Sequence, residues 1–524
     1  GRGEPWEHAS MTSGAPTGAD RRDPVRDRVI LAVARAMARH FFRSVEVVGP
    51  RDLDGPVILA ASHLNGFVDP VLLVAALGRL PRFLAKATLW RVLPIRPFLA
   101  LARIIPVHRR EDHDGSASNA AMFASVVEAL SRGDTVALFP EGTTHDRPHL
   151  VELRTGVARM AVQAVDGGVA GVRIVPVGVA YEDKVALRGR ALVEFGEPVD
   201  VAAEVARLRQ ATADEHEVVR GLMATVGARL RAVSPDFTSL DQALALSGAA
   251  KVAVRASAAD PRMPVPLAAS APLARSLGRA GEAARTPVVG AMARYQLVLT
   301  DLGLHDEDVA RSIDARMLAR RVAVLVVAIV VLAPLAIAGM MANLVPVALV
   351  VVAGLVVHAP VTKGTVRLLV ALVAFPATWL AIAWFDVGGA AIGDVTHVVT
   401  FPLQPLLDGP LASRSGFLPS LLVFVAVPVF GLVALFVIEE ARQLVSAWQS
   451  WRTVLDRRGQ LDELRALRAV VLDLVDEVVS PSPATPLSPG PPGAGEAAAA
   501  APGPEEPPAP PGPGEPPAPD VVPA

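Results

Sequence analysis

The segment SHLNGFVDP at residues 62–70 places a histidine and an aspartate close together in the sequence. Five residues separate His63 from Asp69. A histidine has the basicity to remove a proton from an alcohol near neutral pH. A carboxylate beside it fixes the imidazole tautomer and stabilises the imidazolium that forms. The pair therefore predicts activation of a hydroxyl group as a nucleophile, and acyl transfer to that hydroxyl is the expected reaction.

Charged residues further along the chain could bind an anionic alcohol. Arg109 follows the segment IIPVH and could hold a phosphate group, while Lys86 and Arg154 could add positive charge. Glu141, within FPEGTT, and the backbone amides near Gly142 could bind other hydroxyl groups of the same molecule.

Each motif also has a structural explanation. A single histidine after a strand is commonly a hydrogen-bonded structural residue, and a Pro-Glu-Gly segment can be a turn with a surface carboxylate. Asp69-Pro70 fits a helix N-cap followed by proline at the first helical position. The functional interpretation depends on the motifs following successive strands of one sheet, because ligands of open α/β sheets bind outside the carboxyl ends of the strands.

Short β-rich runs alternate with helical patterns between residues 44 and 200, which predicts an α/β fold with a largely parallel or mixed sheet and flanking helices. The strands read as continuous Val/Ile/Leu runs, as expected when both faces of a sheet are buried. Predicted strands are Val45–Val48, Val57–Ala61, Ile104–His108, Thr135–Phe139, Ile174–Tyr181 and Ala191–Phe195. Predicted helices cover about 70–78, 89–101, 117–131 and 152–166.

The order of these motifs resembles that of the glycerolipid acyltransferase family. The His/Asp motif is followed by IPVHR, then FPEGT and then VPVG, within about residues 45–200. The resemblance implies transfer of a fatty acyl group from acyl-CoA or acyl carrier protein to glycerol 3-phosphate or lysophosphatidate. It implies that His63 is the general base and Asp69 its partner, and that Arg109, Glu141 and Gly142 bind the acceptor. It also implies that no metal, no cofactor and no covalent enzyme intermediate is needed.

Two further features bear on this resemblance. The family usually has four residues between the histidine and the aspartate, and the Asn65-Gly66 turn dipeptide can absorb the fifth residue found here. The longer form resembles a branch of the same family. Downstream, SPDF at 234–237 and the segments ARYQ and LGLHD within 288–309 resemble dual-substrate acyltransferases that use glycerol 3-phosphate or dihydroxyacetone phosphate. The second resemblance favours the first acylation step.

Composition indicates membrane segments and excludes several other classes. Hydrophobic residues make up 52% of the 524 residues, and the mean hydropathy is +0.41. The net charge of −2 gives no overall attraction to nucleic acid. Because the chain has no cysteine, disulfide scaffolds, zinc fingers, thiol nucleophiles and iron–sulfur clusters are excluded.

The sequence predicts seven consecutive parts. They are a disordered N-terminus (1–23), a basic amphipathic helix (24–43), the α/β domain (44–233), a helical region (234–320), a transmembrane region (321–438), a charged amphipathic helix (439–479) and a disordered tail rich in Pro, Ala and Gly (480–524). The basic helix could lie on an anionic membrane surface or pack on its own domain. The helix at 439–479 could pair with a partner or fold against the domain.

Four membrane spans are expected in the transmembrane region. Residues 322–362 are 41 consecutive residues without a charged side chain. Because a bilayer core takes about 20 helical residues, this run predicts two spans broken near Asn343 and Pro346. The four predicted spans are 322–342, 344–362, 368–385 and 415–438.

The basic residues around the spans predict their orientation. Arg316, Arg320 and Arg321 precede the first span, and Lys363 and Arg367 lie between the second and the third. Since basic loops stay on the cytoplasmic side, the α/β domain and both termini are expected to face the cytoplasm from the inner membrane.

Two other functions remain open on the sequence. The same residues could acylate lysophosphatidate or another lysophospholipid, which would need an apolar channel beside the phosphate site. Alternatively, the spans could form a transporter or scaffold, with an α/β domain that binds lipid without turnover. Transport paths are marked by charged residues within the membrane, and the four predicted spans contain none.

Overall fold

A computed structural model describes most of the chain. The described residues are 24–50, 53–91, 96–107, 115–184, 186, 188–261, 263–310, 315–388, 400–403 and 417–480. The predicted disordered N-terminus lies outside them, as do residue 109 and the predicted tail beyond residue 480.

Eight strands form one mixed sheet that follows the long amphipathic helix α1 (Pro24–Phe41). The strands are β1 (Phe42–Val48), β2 (Val57–Ala61), β3 (Arg82–Lys86), β4 (Ile105–Val107), β5 (Thr135–Leu138), β6 (Arg173–Tyr181), β7 (Gly189–Phe195) and β8 (Val199–Asp200). Their order is β1-β7-β6-β2-β5-β3-β4, with β8 paired to β6. The five strands from β6 to β4 are parallel, whereas β7 runs antiparallel to β6. The predicted mixed sheet with flanking helices is confirmed.

Strand β2 lies at the centre of the sheet, and its burial on both faces explains why its sequence is apolar throughout. All five of its residues are buried. Ile58 and Ala60 pack into the core on one face, and Val57, Leu59 and Ala61 pack into the core on the other. Alternate side chains of a strand point to opposite faces, so a strand covered by helices on both sides needs an uninterrupted apolar run.

Fourteen further helices are described along the rest of the chain. They are α2 (Val68–Leu77), α3 (Arg96–Leu101), α4 (Gly115–Ser131), α5 (Gly156–Asp166), α6 (Val201–Ala211), α7 (Glu215–Val233), α8 (Leu240–Ala256), α9 (Leu267–Arg279), α10 (Glu282–Leu302), α11 (Asp306–Ala310), α12 (Ala315–Val356), α13 (Pro360–Gly388), α14 (Phe417–Asp456) and α15 (Arg458–Val479). Short 3₁₀ helices occupy Ala87–Arg91 and Phe401–Leu403.

Helix α1 packs on its own domain along one face. Ile30, Ala34 and Ala38 are buried, and the latter two join the core beneath helix α2. The opposite face exposes Val25 and Val29, at 63% and 54% of their surface. The structure therefore supports the packing interpretation, and contact of the exposed valines with lipid stays a prediction.

The helical region and the C-terminal helix share one core. Leu464, Val471 and Val475 of α15 are buried against α8 and α10, where Leu246 and Tyr295 are fully enclosed. The Ser450 hydroxyl of α14 donates a 2.8 Å hydrogen bond to Asp308 of α11. Residues 439–479 are thus not one helix, because α14 continues to Asp456 and α15 begins at Arg458 and folds back on the domain.

The predicted break near Asn343 and Pro346 is wrong. Helix α12 is continuous over 42 residues. Asn343 is tolerated within it because its Nδ2 donates to the Gly339 carbonyl at 2.8 Å and its Oδ1 accepts from Trp379 Nε1 at 3.0 Å. In place of four predicted spans, the described residues contain three helices that are long and apolar enough to cross a membrane, at Val322–Val356, Thr362–Trp384 and Leu418–Val454.

Helices α12 and α14 approach each other closely at small residues. A Cβ atom added at Gly339 would lie 2.1 Å from the carbonyl oxygen of Phe430, so no side chain fits there. Small residues at helix contacts let two backbones approach, which increases van der Waals contact within a membrane. This contact holds the apolar helices together as a pair.

Glu46 on β1 joins the sheet to the helical region, and its role predicts a pH dependence of stability. Its carboxylate accepts hydrogen bonds from the backbone N–H groups of Leu267 and Ala268, at 3.0 and 2.8 Å, and pairs with Arg190 at 2.9 Å. Burial would raise the pKa of Glu46, but these hydrogen bonds and the Arg190 charge outweigh it and leave the pKa below its usual value of 4.5.

We expect Glu46→Ala to lower the free energy of unfolding by about 1 kcal/mol at pH 7, because the start of α9 loses its acceptor. A carboxylate with a lowered pKa stabilises the fold above pH 4.5 and loses that contribution as the pH falls through the folded value. The melting temperatures of variant and wild type should therefore converge below pH 4.5. A difference that stays constant from pH 7 to pH 3 would contradict this role.

Candidate active site

The predicted site residues follow parallel strands that end at the same edge of the sheet. His63 follows β2, Glu141 follows β5, and Lys86 is the last residue of β3. Because these strands are parallel neighbours, in the order β2-β5-β3, their carboxyl ends converge. Lys86 is exposed and lies two strands from β2, which corresponds to about 10 Å. Arg109 lies outside the described residues.

The His63 imidazole is held from two sides. Its Nδ1 lies 2.9 Å from Oδ2 of Asp69. One ring face stacks on Phe139, with centroids 4.0 Å apart and an interplanar angle of 18°. Because an ionised carboxylate only accepts hydrogen bonds, Nδ1 carries the proton and Nε2 keeps its lone pair. Nε2 is therefore the atom that can take a proton from an alcohol.

Asp69 is fully buried and receives hydrogen bonds from three groups. Besides His63, the backbone N–H of Asn65 donates to Oδ2 at 2.8 Å, and the Tyr181 hydroxyl donates to Oδ1. Burial, and then the charge of Asp69, raises the pKa of Tyr181 well above its ordinary value, so the tyrosine stays a donor. These contacts fix the carboxylate in line with the imidazole.

The extra residue between His63 and Asp69 is absorbed in the turn before α2. Gly66 has a φ of 48°, and the Val68 N–H bonds to the Asn65 carbonyl at 2.9 Å. The expectation that Asp69 is the helix N-cap is wrong, because α2 begins at Val68 and its N-cap residue is Phe67. Asp69 is instead the second residue of the helix, which leaves its carboxylate available to His63.

Glu141 supports the histidine loop. Its Oε1 accepts a 2.7 Å hydrogen bond from the His63 backbone N–H, and its Oε2 bonds to the His145 ring. The residue is 2% exposed. Both oxygens are thus engaged with the protein, which supports a role in positioning. Direct contact of Glu141 with an acceptor hydroxyl stays a prediction.

Gly142 and Arg154 are brought together beside Glu141. Gly142 adopts a φ of 66°, and a Cβ atom added there would lie 2.8 Å from Arg154 Nε. The Arg154 backbone N–H bonds to the Pro140 carbonyl at 2.8 Å, while its side chain is exposed. An exposed guanidinium at this position can approach an anionic group near the sheet edge.

The site also contains residues that the sequence did not single out. Tyr181 and Lys184 come from the end of β6 and the loop after it, and the Lys184 carbonyl accepts from Asn65 Nδ2 at 3.1 Å. Burial lowers the pKa of Lys184, while the charge of Asp69 acts in the opposite direction. Ser62 Oγ accepts from the Val179 N–H at 2.9 Å and anchors the start of the histidine loop on β6. No local pattern marks these residues.

A metal site is not formed by the described part of the chain, where no group of three or more His, Asp or Glu side chains could hold an ion. Transfer without a metal or cofactor stays a prediction. The arrangement brings together an imidazole, a buried carboxylate behind it and an exposed cation at the edge of the sheet.

This fold and the contact between His63 and Asp69 agree with the acyltransferase class of enzyme. Residues 44–180 match the family model described as Acyltransferase. Most of the α/β domain is thus similar to the acyltransferase family.

Similar proteins include two yeast enzymes and one bacterial enzyme. Glycerol-3-phosphate O-acyltransferases 1 and 2 of Saccharomyces cerevisiae are 33% and 34% identical over 114 and 126 residues. These segments are 22% and 23% of this chain, and they span 15% and 17% of the yeast proteins. Lyso-ornithine lipid O-acyltransferase of Brucella abortus is 27% identical over 216 residues, which cover 35% of this chain and 78% of that protein.

Among solved structures, the 1-acyl-sn-glycerophosphate (LPA) acyltransferase PlsC of Thermotoga maritima is similar with a TM-score of 0.27 and 19% identity. The match covers 38% of this chain and 76% of that one.

Removal of the Tyr181 hydroxyl tests the support of Asp69. We expect Tyr181→Phe to lower kcat about 5-fold, because a buried carboxylate that loses one donor holds the imidazole less firmly. Tyr295→Phe is a matched control, since Tyr295 is buried and donates to Asp306 at 2.8 Å in the helical region. Both variants should lose stability, but only the first should lose kcat. Equal kcat values in the two folded variants would contradict the role of Tyr181.

Proposed function

We propose that this protein transfers a fatty acyl group from acyl-CoA or acyl carrier protein to glycerol 3-phosphate, or to dihydroxyacetone phosphate, in phosphatidic acid and phospholipid synthesis. The observation that carries the proposal is the 2.9 Å contact between His63 Nδ1 and the buried Asp69 carboxylate at the sheet edge. The similarity to the two yeast glycerol-3-phosphate O-acyltransferases supports this acceptor.

In the proposed reaction, His63 Nε2 removes the proton of the acceptor hydroxyl as its oxygen attacks the thioester carbonyl carbon. Asp69 stabilises the imidazolium that forms. When the tetrahedral intermediate collapses, the carbon–sulfur bond breaks, and the imidazolium returns its proton to the leaving thiolate. The products are an ester and a free thiol, and His63 is restored to its neutral form. Arg109, Lys86 and Arg154 are the proposed cations for the phosphate group.

The alternative acceptor is lysophosphatidate or another lysophospholipid. The match to the lyso-ornithine lipid O-acyltransferase favours it, because that match spans most of the relative. A catalytically inactive lipid-binding scaffold is a third candidate.

The deciding experiment uses the purified full-length protein in lipid nanodiscs. Glycerol 3-phosphate, dihydroxyacetone phosphate and lysophosphatidate are each offered with acyl-CoA and with acyl carrier protein, and product formation is measured by mass spectrometry. We expect kcat/KM to be largest with glycerol 3-phosphate. A preference for lysophosphatidate would favour the alternative acceptor, and no transfer to any glycerophosphate or lysolipid would end the proposal.

We also propose that the protein resides in the cytoplasmic membrane, with the catalytic domain and both termini on the cytoplasmic side. The three long apolar helices support membrane association. Lys363 and Arg367 lie in the first turns of α13, beside the catalytic domain, and basic residues that flank a span remain on the cytoplasmic side. The orientation is tested by labelling single cysteines placed in the catalytic domain or at either terminus of this cysteine-free chain. A membrane-impermeant reagent should fail to reach these cysteines in intact cells.

A further inference from the structure

The first turns of the apolar helix α13 are built into the catalytic domain. Leu368 is 3% exposed and lies in the same core cluster as Ala34 of α1 and Leu72 of α2. Gly364 is buried one turn earlier. A helix that served only as an anchor would not need to enter this core, so its first turns require another explanation.

Thr365 of α13 bonds directly to the loop that carries the catalytic pair. Its Oγ1 accepts a 2.9 Å hydrogen bond from the backbone N–H of Phe67, the N-cap residue of α2. In a capping box, a Glu or Gln at the third helical position accepts from this same N–H group. Here the third position is Pro70, which has no side-chain acceptor, and the N-cap side chain makes no capping hydrogen bond. Thr365 thus supplies the missing acceptor from another helix.

Gly364 makes a second contact with the same loop. A Cβ atom added at this position would lie 2.3 Å from Asn65 Oδ1. Asn65 is fully buried, and its backbone N–H is one of the donors that hold Asp69. Any side chain at residue 364 must therefore displace the carboxamide of Asn65, the residue whose backbone N–H holds Asp69.

We propose that the first turn of α13 is a positioning element for the His63–Asp69 pair, acting through Thr365 and Gly364. This inference rests on the proposed function. The apolar helix sets where α2 begins, and the start of α2 sets the distance from Asp69 to the imidazole. Thr365 and Gly364 do not touch the reacting atoms, so they affect the rate of the chemical step through the loop.

The first test compares Thr365→Val with Thr365→Ser in the full-length protein in nanodiscs. Valine keeps the shape and removes the acceptor oxygen, whereas serine keeps the oxygen. We expect Thr365→Val to lower kcat about 10-fold with little change in KM for the acyl donor, because a small displacement of catalytic groups costs rate more than binding. Thr365→Ser should restore at least half of the wild-type kcat. Thr362→Val, at an exposed position one turn earlier, is the control and should match wild type.

The second test adds a methyl group at the contact with Asn65. We expect Gly364→Ala to lower kcat about 100-fold, since the new Cβ must move the Asn65 carboxamide. Gly290→Ala in α10 is the matched control, because nothing lies within 4 Å of the added Cβ at that helical glycine. Asn65→Ala combined with Gly364→Ala should lose less than the sum of the single effects, because the double variant removes the clash.

The outcomes separate this inference from the proposed function. Wild-type transfer together with unchanged kcat in Thr365→Val and Gly364→Ala would overturn the positioning role and leave the acyltransferase proposal standing. Equal losses in Thr365→Val and Thr365→Ser would also overturn it, because the hydroxyl would then be irrelevant. An inactive wild type with every acceptor and donor would instead end the proposed function.

Discussion

His63→Ala should reduce acyl transfer about 1,000-fold or more, because the accepting hydroxyl then has no base to remove its proton. Glu141 bonds to the backbone N–H of His63 and not to its side chain, and alanine keeps that N–H group. The variant should therefore fold, but its melting temperature should fall because the buried Asp69 carboxylate loses the Nδ1 donor. Initial rates at saturating donor and acceptor measure the loss.

His216→Ala is the control for this substitution, since the His216 side chain is 82% exposed on α7. Turnover and lipid binding, measured together in wild type and His63→Ala, separate an enzyme from a scaffold. An enzyme loses turnover in the variant and keeps its affinity for the acceptor, as measured by equilibrium binding, whereas a scaffold shows binding without turnover in both proteins. More than a tenth of the wild-type rate remaining in His63→Ala would exclude His63 as the general base.

Asp69→Asn should lower kcat about 100- to 1,000-fold, although the substitution changes the shape of the side chain very little. An amide can present its NH₂ group to Nδ1, which favours the imidazole tautomer with its proton on Nε2. That tautomer cannot accept a proton from the alcohol. The amide also loses the negative charge that stabilises the imidazolium, so kcat should fall while KM for the acceptor changes little.

Asp301→Asn is a matched substitution at an exposed position of α10 and should leave the rate unchanged. Steady-state kinetics of both variants, with circular dichroism to verify folding, make the comparison. If Asp69→Asn retained wild-type kcat, the contact with His63 Nδ1 would be structural and the assignment of the pair would fail.

The parallel part of the sheet and its catalytic edge could be predicted from sequence because local patterns carry them. The apolar run of β2 ends directly before His63, and the run of β5 ends shortly before Glu141. Since parallel strands align their carboxyl ends, sequence order alone brings these two residues to one edge.

Other parts of the site depend on contacts across long distances in sequence. Tyr181 reaches Asp69 over 112 residues, and Thr365 reaches Phe67 over 298. Nothing in the local sequence around either residue marks such a partner. Strand β3 was missed for a different reason: two of its five residues are basic, and Phe83 alone among them is buried.

The continuous helix α12 could not be predicted because its stability at Asn343 depends on another helix. An asparagine and a proline within an apolar run are ordinary signals of a break between two spans. Trp379 of α13 satisfies the Asn343 carboxamide in the folded chain, so the polar side chain needs no water.

The contacts at the two ends of the apolar region bear on how many times the chain crosses the membrane. The chain enters α12 shortly after Asp308, and Asp308 bonds to Ser450 near the end of α14. Entry and exit are therefore fastened to the same cluster of helices, and we expect that cluster to lie on one side of the membrane. Three single passes would place these two ends on opposite sides of the bilayer, so we expect the polypeptide to cross the lipid an even number of times.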